Sequence, residues 1–543
     1  MKVLLLQPPV EDFYNTDIRL QPVGLAYLKA AAGKHLPKIQ VLVKDYHHGW
    51  GRRTIPLPRE LAYLKDYYSK DDKSPFSTFH HFYHFGAGFE ELAEDVAREK
   101  PDLVGIASLF APYHREALRC AEAIKARCSV PILLGGAQVS AMPETMLAHP
   151  AVDFVIQGEG ERPFVEFLKA FSGHKRFRAV PNLGYKKNGE MIFNPREENF
   201  PIETLPFPDF SDLPRDPYTF EKKPLCFLIT SRGCPYRCAF CSVHKTFGHK
   251  CRRRSAENIL AEIRQRYAEG YRVFDFEDDN LTFDRAEMTE LCEKLIKTFP
   301  GKDLQLLAMN GICYWTLGRG MLELMRRAGF THLNLSLVST NTKLLKEVSR
   351  PNPLAKYRAV VKDAVSLGFK VVAYQILGLP DDTLSSMIKT LVFNTKLPVL
   401  LGASPFYLIP RSPIARHFPE PSAADIFKAR LTAMAIETKH FKREDLYTLL
   451  ITTRVLNFLK GIPFNAARVN LPKALSIAGK LDKRSAIGAE ILRRLLKEKT
   501  FYAATSKGLE PLARFKPELF FRLWQKLDSI QTQHSRIIQI RGG

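Results

Sequence analysis

Two stretches of the chain alternate strand-length apolar runs with segments of helical periodicity, and this alternation confines the fold to parallel sheets covered by helices. In the first stretch, 1–175, runs at 3–6, 39–43, 103–107, 132–134 and 152–156 are separated by helical patterns such as 23–32 and 115–127. Runs that are apolar throughout read as strands buried on both faces, so an α/β, doubly wound sheet is expected there. In the second stretch, 224–419, six runs at 226–230, 272–276, 304–309, 332–337, 370–377 and 401–408 alternate with patterns such as 256–269 and 285–298. Six βα units make a (β/α)6 partial barrel or a full one. An insertion at 46–90 is rich in aromatics and His, including His80, His81 and His84, and is expected as a packed, lid-like element. Residues 176–223 are expected as a linker, Pro-rich and irregular from 182 onward. Residues 420–543 are expected as a basic helical domain.

Charge narrows the partners. The 543 residues hold 80 Lys and Arg against 57 Asp and Glu, a net charge of +23. Of these, 421–543 alone carries 23 against 10. An apolar share of 45% and a charged share of 25% are globular usage, which excludes a disordered or collagenous chain. The basic excess suits an anionic substrate or contact with a membrane surface. No recognition pattern with interleaved aromatics is present, so a nucleic-acid partner is not supported. The run Arg252-Arg253-Arg254 has three readings: a hold on an anionic substrate, a landing site for an acidic electron donor, or a solvated helix start. The opening MKVLLLQPP is too short an apolar run for a signal peptide, and no stretch reaches the roughly 18 apolar residues of a spanning helix. A cytoplasmic location is expected. Nine Cys, an odd number, then read as reduced thiols or metal ligands.

Ligands of parallel sheets sit beyond the carboxyl ends of the strands. Ser108, Gly135, Gly136, Gly158 and Gly160 stand at those ends. They allow a backbone to approach a large ligand closely, or they are ordinary turns. In a barrel, chemistry sits on the loops after the strands. After the first barrel strand comes Gly233-Cys234-Pro235-Tyr236-Arg237-Cys238-Ala239-Phe240-Cys241. Three thiolates in one short loop can grip three irons of a four-iron cluster. The fourth iron then keeps an open position for a ligand with adjacent amine and carboxylate groups. A zinc site is the alternative, with His244 completing a Cys3His set, although structural zinc usually staples two segments rather than one.

The C-x3-C-x-aromatic-C pattern after the first strand of a six-unit barrel resembles the radical S-adenosylmethionine (radical SAM) superfamily. The resemblance implies a [4Fe–4S] cluster on Cys234, Cys238 and Cys241 that cleaves SAM to a 5′-deoxyadenosyl radical. It also implies cofactor contacts along the barrel. Phe240 matches the aromatic near the adenine. Glu277 and Asp278 end the second strand, where the family holds the SAM amino group, and Asn310 ends the third. Ser336 ends the fourth, with Val338 where a Glu is common. Gln375 and Gly378 end the fifth, in a stretch similar to the family's Gly-Leu-Pro turn. With the N-terminal sheet, residues 1–419 resemble the cobalamin-binding branch. In that likeness the N-terminal domain is a Rossmann-like cobalamin-binding domain, with Ser108, Gly135, Gly136, Gly158 and Glu159 toward the corrinoid. The D-x-H-x-x-G pattern that supplies a lower His is absent after the first strand, which ends Gln7-Pro8-Pro9. Its partial echo, Asp45-Tyr46-His47-His48-Gly49-Trp50, makes His47 and His48 surface or packing residues, and cobalt would lack a His from the protein.

The resemblance implies a cobalamin-dependent radical SAM enzyme, a methyltransferase acting on an unactivated carbon of a small or anionic substrate. Its cofactors would be the cluster, SAM and cobalamin. One SAM would methylate cobalamin, and a second would supply the radical. A ferredoxin or flavodoxin would be the reductant. The other six Cys show no C-x2-C pairing, which counts against methylthiotransferase relatives with a second cluster. Two rivals stand beside this reading: a radical SAM cyclase or rearrangement enzyme that uses cobalamin without methyl transfer, and a non-catalytic cobalamin- or metal-binding sensor.

Overall fold

The computed structural model describes residues 1–14, 20–68, 71–173, 175–301, 303–351 and 353–541. The N-terminal sheet contains five parallel strands: Lys2–Gln7, Gln40–Asp45, Leu103–Ala107, Ile132–Gly135 and Phe154–Ile156. Numbered along the chain, they lie side by side in the order 2-1-3-4-5. Val3 and Leu5 of the first strand enter one core with Leu25 and Phe164. Leu4 and Leu6 enter another with Leu92 and Ala117. Both faces are therefore covered by helices, which is why these strands are apolar throughout. The strand order reverses between Lys2–Gln7 and Leu103–Ala107, and the crevice at such a reversal is where open parallel sheets bind ligands.

The segment expected as an irregular linker is ordered at its start. Leu183–Lys187 and Glu190–Phe193 form a hairpin that extends the same sheet antiparallel from Phe154–Ile156. Gly189 turns this hairpin with a φ of 82°, a conformation only Gly adopts freely. From there to Lys223 the chain is mostly irregular.

The barrel strands are Lys223–Leu228, Val273–Phe276, Gln305–Leu307, His332–Val338, Lys370–Leu377 and Leu400–Pro405. The first three pair in parallel, as do the last three, and a parallel bridge from Leu306 to Phe330 joins the halves. Among the described residues the last strand does not pair with the first, so the barrel is partial. The helix Arg443–Gly461 covers the open edge. Asn457 accepts from the Leu401 N–H at 2.9 Å and donates to its carbonyl at 2.8 Å, in place of a neighbouring strand.

Two expectations change here. Residues 420–543 are not purely helical: strands Arg468–Asn470, Ser529–Gln531 and Ile537–Gln539 form a small sheet, and Tyr502–Thr505 pairs with Gly508–Pro511. Strands of three or four residues are too short to show an alternating pattern in sequence. The 46–90 insertion is a brace between the two ends of the chain. Its strand Phe82–Phe85 pairs antiparallel with Arg52–Ile55 on one side and with Val10–Asp12 on the other. Tyr68 donates to the Thr432 carbonyl at 2.5 Å, and Arg454 donates to that of Ser77 at 2.6 Å. His84 is buried between Glu11, 3.0 Å away, and the Ala87 carbonyl. Among the described residues no helix is long and apolar enough to cross a membrane.

Candidate functional site

The cysteine loop leaves the first barrel strand through Ser231-Arg232-Gly233. Gly233 has a φ of 83°, and a Cβ there would collide with the Lys250 carbonyl, so no larger residue fits. Its N–H donates to Asp279 Oδ2 at 2.8 Å. All three loop cysteines are free. Burial pushes the Cys241 thiol up to about 11 and raises that of Cys234, and neighbouring thiols add to both. These two thiols therefore resist ionising, and a bound metal's positive charge reverses that balance. Asn280 Nδ2 donates to Cys234 Sγ at 3.5 Å, and Arg350 Nη1 to Cys238 Sγ at 3.7 Å. The His244 ring stacks on His249, 4.9 Å away. Among the described residues no three His, Cys, Asp or Glu side chains gather to hold a single metal ion, so the Cys3His zinc set is not assembled.

A cavity of about 730 Å³ lies between the carboxyl ends of the sheet strands and the barrel mouth. Gly135, Gly136, Gly158 and Glu159 line it from the sheet, and Glu277 and Asp279 from the barrel. Gly136 has a φ of 117°, and a Cβ would come within 2.5 Å of the Ser108 carbonyl. Most of the remaining wall is apolar, from Leu5 and Leu25 to Phe247 and Ile409. Gln138 also lines the cavity, and both its amide atoms are buried without a hydrogen-bond partner. Gln7 Oε1 and Gln21 Nε2, on the same wall, are likewise buried and unpartnered, as is Ser108 Oγ, although Ser108 does not line the cavity. Leaving such groups unsatisfied costs about 1–3 kcal/mol each, so the three Gln side chains on the wall suit a ligand with amide-like donors and acceptors.

Several candidate residues have other work. Asp278 is buried and faces away from the cavity: Thr230 donates to its Oδ1 at 2.8 Å, and the Ser231 hydroxyl donates to the same atom. It holds the start of the cysteine loop. Its neighbour Asp279 stands at the cavity instead, with burial pushing its carboxyl up to about 6 and the Asp278 charge adding to the rise. The Glu159 carboxylate is held by Arg232 at 3.0 Å and by Arg252 at 2.7 Å. It is an interdomain clamp rather than a free ligand group. Asn310 donates to Glu277 Oε2 at 2.9 Å. Ser336 offers its carbonyl to Arg350 at 3.1 Å, beside a bulge that leaves Val338 at a φ of 68°. Gln375 is buried and turns toward the Met387 carbonyl, 3.5 Å away. Gly378 faces the C-terminal domain: a Cβ there would meet Leu446 and Phe441 at 3.0 Å. Phe240 is half-buried and packs with Val338, Leu379 and Phe406.

The three-arginine run is not an open patch. Arg252 binds Glu159, Arg253 binds the Leu281 carbonyl and Glu287, and Arg254 binds Glu262 at 2.5 Å. His47 and His48 are buried packing residues rather than surface ones. His48 Nδ1 is 2.8 Å from Asp45, His47 Nδ1 is 3.4 Å from the Phe85 carbonyl, and neither residue lines the cavity. Sequence reasoning missed Arg232 and Arg350. Arg232 directly precedes the Gly-Cys pair, a position that could have drawn attention. Arg350 lies 109 residues beyond Cys241, and nothing local points to it.

Comparison with known proteins agrees with this geometry. The radical SAM superfamily matches residues 228–393, and the B12 binding domain matches 60–168. An uncharacterized methyltransferase of Pyrococcus horikoshii, PH0819, is 26% identical over 404 residues, covering 74% of this chain and 79% of the relative. Among solved structures, the radical SAM methyltransferase TsrM from Kitasatospora setae, with cobalamin and a [4Fe–4S] cluster bound, superposes with a TM-score of 0.58 at 16% identity. That match covers 76% of this chain and 73% of TsrM. The cobalamin-dependent SAM radical enzyme OxsB, with aqua-cobalamin bound, gives 0.62 at 14% identity over 91% of this chain and 72% of its own. At these identities the likeness is one of fold.

Proposed function

This chain belongs to the radical SAM superfamily, in the branch that carries a B12-binding domain, and from that premise we propose that it is a cobalamin-dependent methyltransferase acting on an unactivated carbon. The observation that carries the reading is the shared cavity. Gly136 and Gly158 of the sheet domain and Glu277 and Asp279 of the barrel line one chamber. A methyl carrier on the first wall and a radical source on the second would meet the same substrate.

The residues present fit the three groups. Cys234, Cys238 and Cys241 would hold three irons of the cluster. Glu277 and Asp279 would take the SAM amino group, which needs acceptors. Gly135, Gly136 and Gly158 would face the corrinoid, with Gln138 and Gln7 meeting its amide groups and the Ser108 backbone packed against Gly136. When bound, these groups supply an electron to SAM and a carrier for methyl. The chain's own part is to aim them and exclude water. The apolar wall does the second, and the Arg232 ion pairs to Glu159 and Glu161 fix one wall against the other.

A one-electron reductant is required, and an acidic ferredoxin or flavodoxin suits the charge near the cluster. Arg237 and Lys250 are exposed on and beside the cysteine loop. A cytoplasmic location suits such a donor. The basic C-terminal domain suits contact with an anionic membrane surface.

The test is a count of products. Reconstituted, reduced protein incubated with SAM and cobalamin should release both 5′-deoxyadenosine and S-adenosylhomocysteine. 5′-Deoxyadenosine alone, with a substrate consumed and no methylated product, would mark a rearrangement instead. Release of neither would overturn the enzyme reading.

A further inference from the structure

A segment from elsewhere in the barrel grips the cysteine loop. Residues 348–350 follow the short helix Thr342–Glu347. The Ala239 N–H donates to the Val348 carbonyl at 2.9 Å, so the segment lies against the middle of the loop. Ser349 takes a φ of 53°, and Arg350 follows it directly. Arg350 Nη1 donates to Cys238 Sγ at 3.7 Å, and Nη2 donates to the Ser336 carbonyl at 3.1 Å. The guanidinium lies 5.0 Å from the centroid of the Trp315 ring. Trp315 Nε1–H in turn donates to the Tyr236 hydroxyl at 2.7 Å. Tyr236 is two residues before Cys238. The circuit therefore leaves the loop at Tyr236, passes through Trp315 and Arg350, and returns at Cys238.

The three sulfurs are not equivalent within this arrangement. Cys234 accepts from the neutral amide of Asn280 and from the Tyr236 N–H, and Cys241 from the Val243 N–H. Among the described residues, Cys238 is the one of the three that accepts from a charged side chain. An Arg guanidinium is always protonated and planar, so its charge does not titrate away. The Trp315 ring beneath it helps hold the guanidinium in place.

We propose that Arg350 is a positioning residue that sets the reduction potential of the iron–sulfur cluster through Cys238. The proposal rests on the reading of the three cysteines as cluster ligands. Reduction adds negative charge to the cluster and its thiolates. A fixed positive charge and a hydrogen bond at a ligating sulfur favour that state and raise the potential. Asn280, a neutral donor, has the smaller effect.

The experiment is a redox titration without SAM. Wild type, Arg350→Met and Arg350→Lys are reconstituted anaerobically, iron and sulfide are counted per chain, and the reduced cluster is followed by electron paramagnetic resonance. The expected result is full cluster content in all three. The Arg350→Met midpoint falls by about 59 mV, a tenfold change for a one-electron couple. Arg350→Lys, which keeps the charge, recovers most of that shift. An unchanged Arg350→Met midpoint at full cluster content overturns the proposal. So does an equal fall in both variants, which would make Arg350 a packing residue. If Arg350→Met holds no cluster, Arg350→Gln replaces it: a midpoint below that of Arg350→Lys supports the proposal, and one equal to it or above overturns it. Wild type without a four-iron cluster overturns the ligand reading, and this proposal with it.

Discussion

Arg232 Nη2 lies 2.5 Å from Glu161 Oε1, and both side chains are buried between the N-terminal sheet and the barrel. Arg232 is two residues ahead of Cys234, and Glu161 opens the helix Glu161–Ser172 beyond the last parallel strand. The pair therefore ties the cysteine loop to the sheet loop that lines the cavity. Removing the Glu161 charge leaves the buried Arg232 to Glu159 alone and weakens its charged hydrogen bonds, which costs about 2–3 kcal/mol. Glu161→Gln is expected to lose that much stability in urea unfolding at neutral pH. Burial alone would raise the Glu161 carboxyl, but Arg232 outweighs it and holds it below the ordinary value of 4.5. The stabilisation is therefore present above about pH 4.5 and lost as pH falls below it. The variant should lack this acid-dependent loss.

Gly136 is a tight point on the sheet side of the cavity, walled by backbone. Its φ is 117°, and the Ser108 carbonyl lies 2.5 Å from where an added methyl would sit, so Gly136→Ala must displace the end of the Leu103–Ala107 strand. Cobalamin affinity is expected to fall about tenfold or more, about 1.4 kcal/mol, while iron content is unchanged. Equilibrium binding of hydroxocobalamin to the two proteins checks this. An equal loss of iron would show that the change spreads beyond the sheet.

Asp279 gives a pH signature of the opposite sign. Burial raises its carboxyl from 3.8 to about 6, so the folded protein holds this proton more tightly than the unfolded chain. Its contribution to stability is largest below pH 3.8 and is lost as pH rises to about 6. Relative to Asp279→Asn, the metal-free wild type should lose up to about 3 kcal/mol across that window and stay level above it. Urea midpoints of both proteins at pH 4, 5, 6 and 7 test this. A constant difference would contradict it.

Much of the fold and part of the site were legible in sequence, for physical reasons. Leu4 and Leu6 point to one core and Val3 and Leu5 to the other, so a run apolar at every position announces a strand covered on both faces. The cysteine loop was legible because its three cysteines lie within eight residues of one another. What stayed hidden depends on distant partners. Arg252, Arg253 and Arg254 read as an exposed run, yet each meets a carboxylate from elsewhere: Glu159, Glu287 and Glu262. Asp278 and Asp279 are neighbours of one type, and only the paths of Thr230 and Gly233 decide which of them faces the cavity. Gly378 sits in the expected turn, but the Phe441 and Leu446 side chains that meet it come from beyond the barrel.

The C-terminal domain is part of the folded unit. Arg430 is buried against Asp12 at 3.1 Å and donates to the carbonyls of Glu11 and Pro112. Ending the chain after 419 strands Asp12 and uncovers the last barrel strand that Asn457 edges. Such a truncation is expected to aggregate on expression. Arg430→Met in the full chain should lose about 3–5 kcal/mol in urea unfolding. A soluble, cooperatively unfolding truncation would contradict this.

The central proposal is that Cys234, Cys238 and Cys241 hold one cluster next to a corrinoid chamber. Its most direct test is elemental and corrinoid analysis of wild type and Cys238→Ala, both purified without air from cells supplied with iron and cobalamin. Wild type should carry about four irons with matching sulfide, and one corrinoid, per chain. Cys238→Ala should lose the iron and keep the corrinoid. Zinc in place of iron in the wild type, or iron retained at full content in Cys238→Ala, would contradict it.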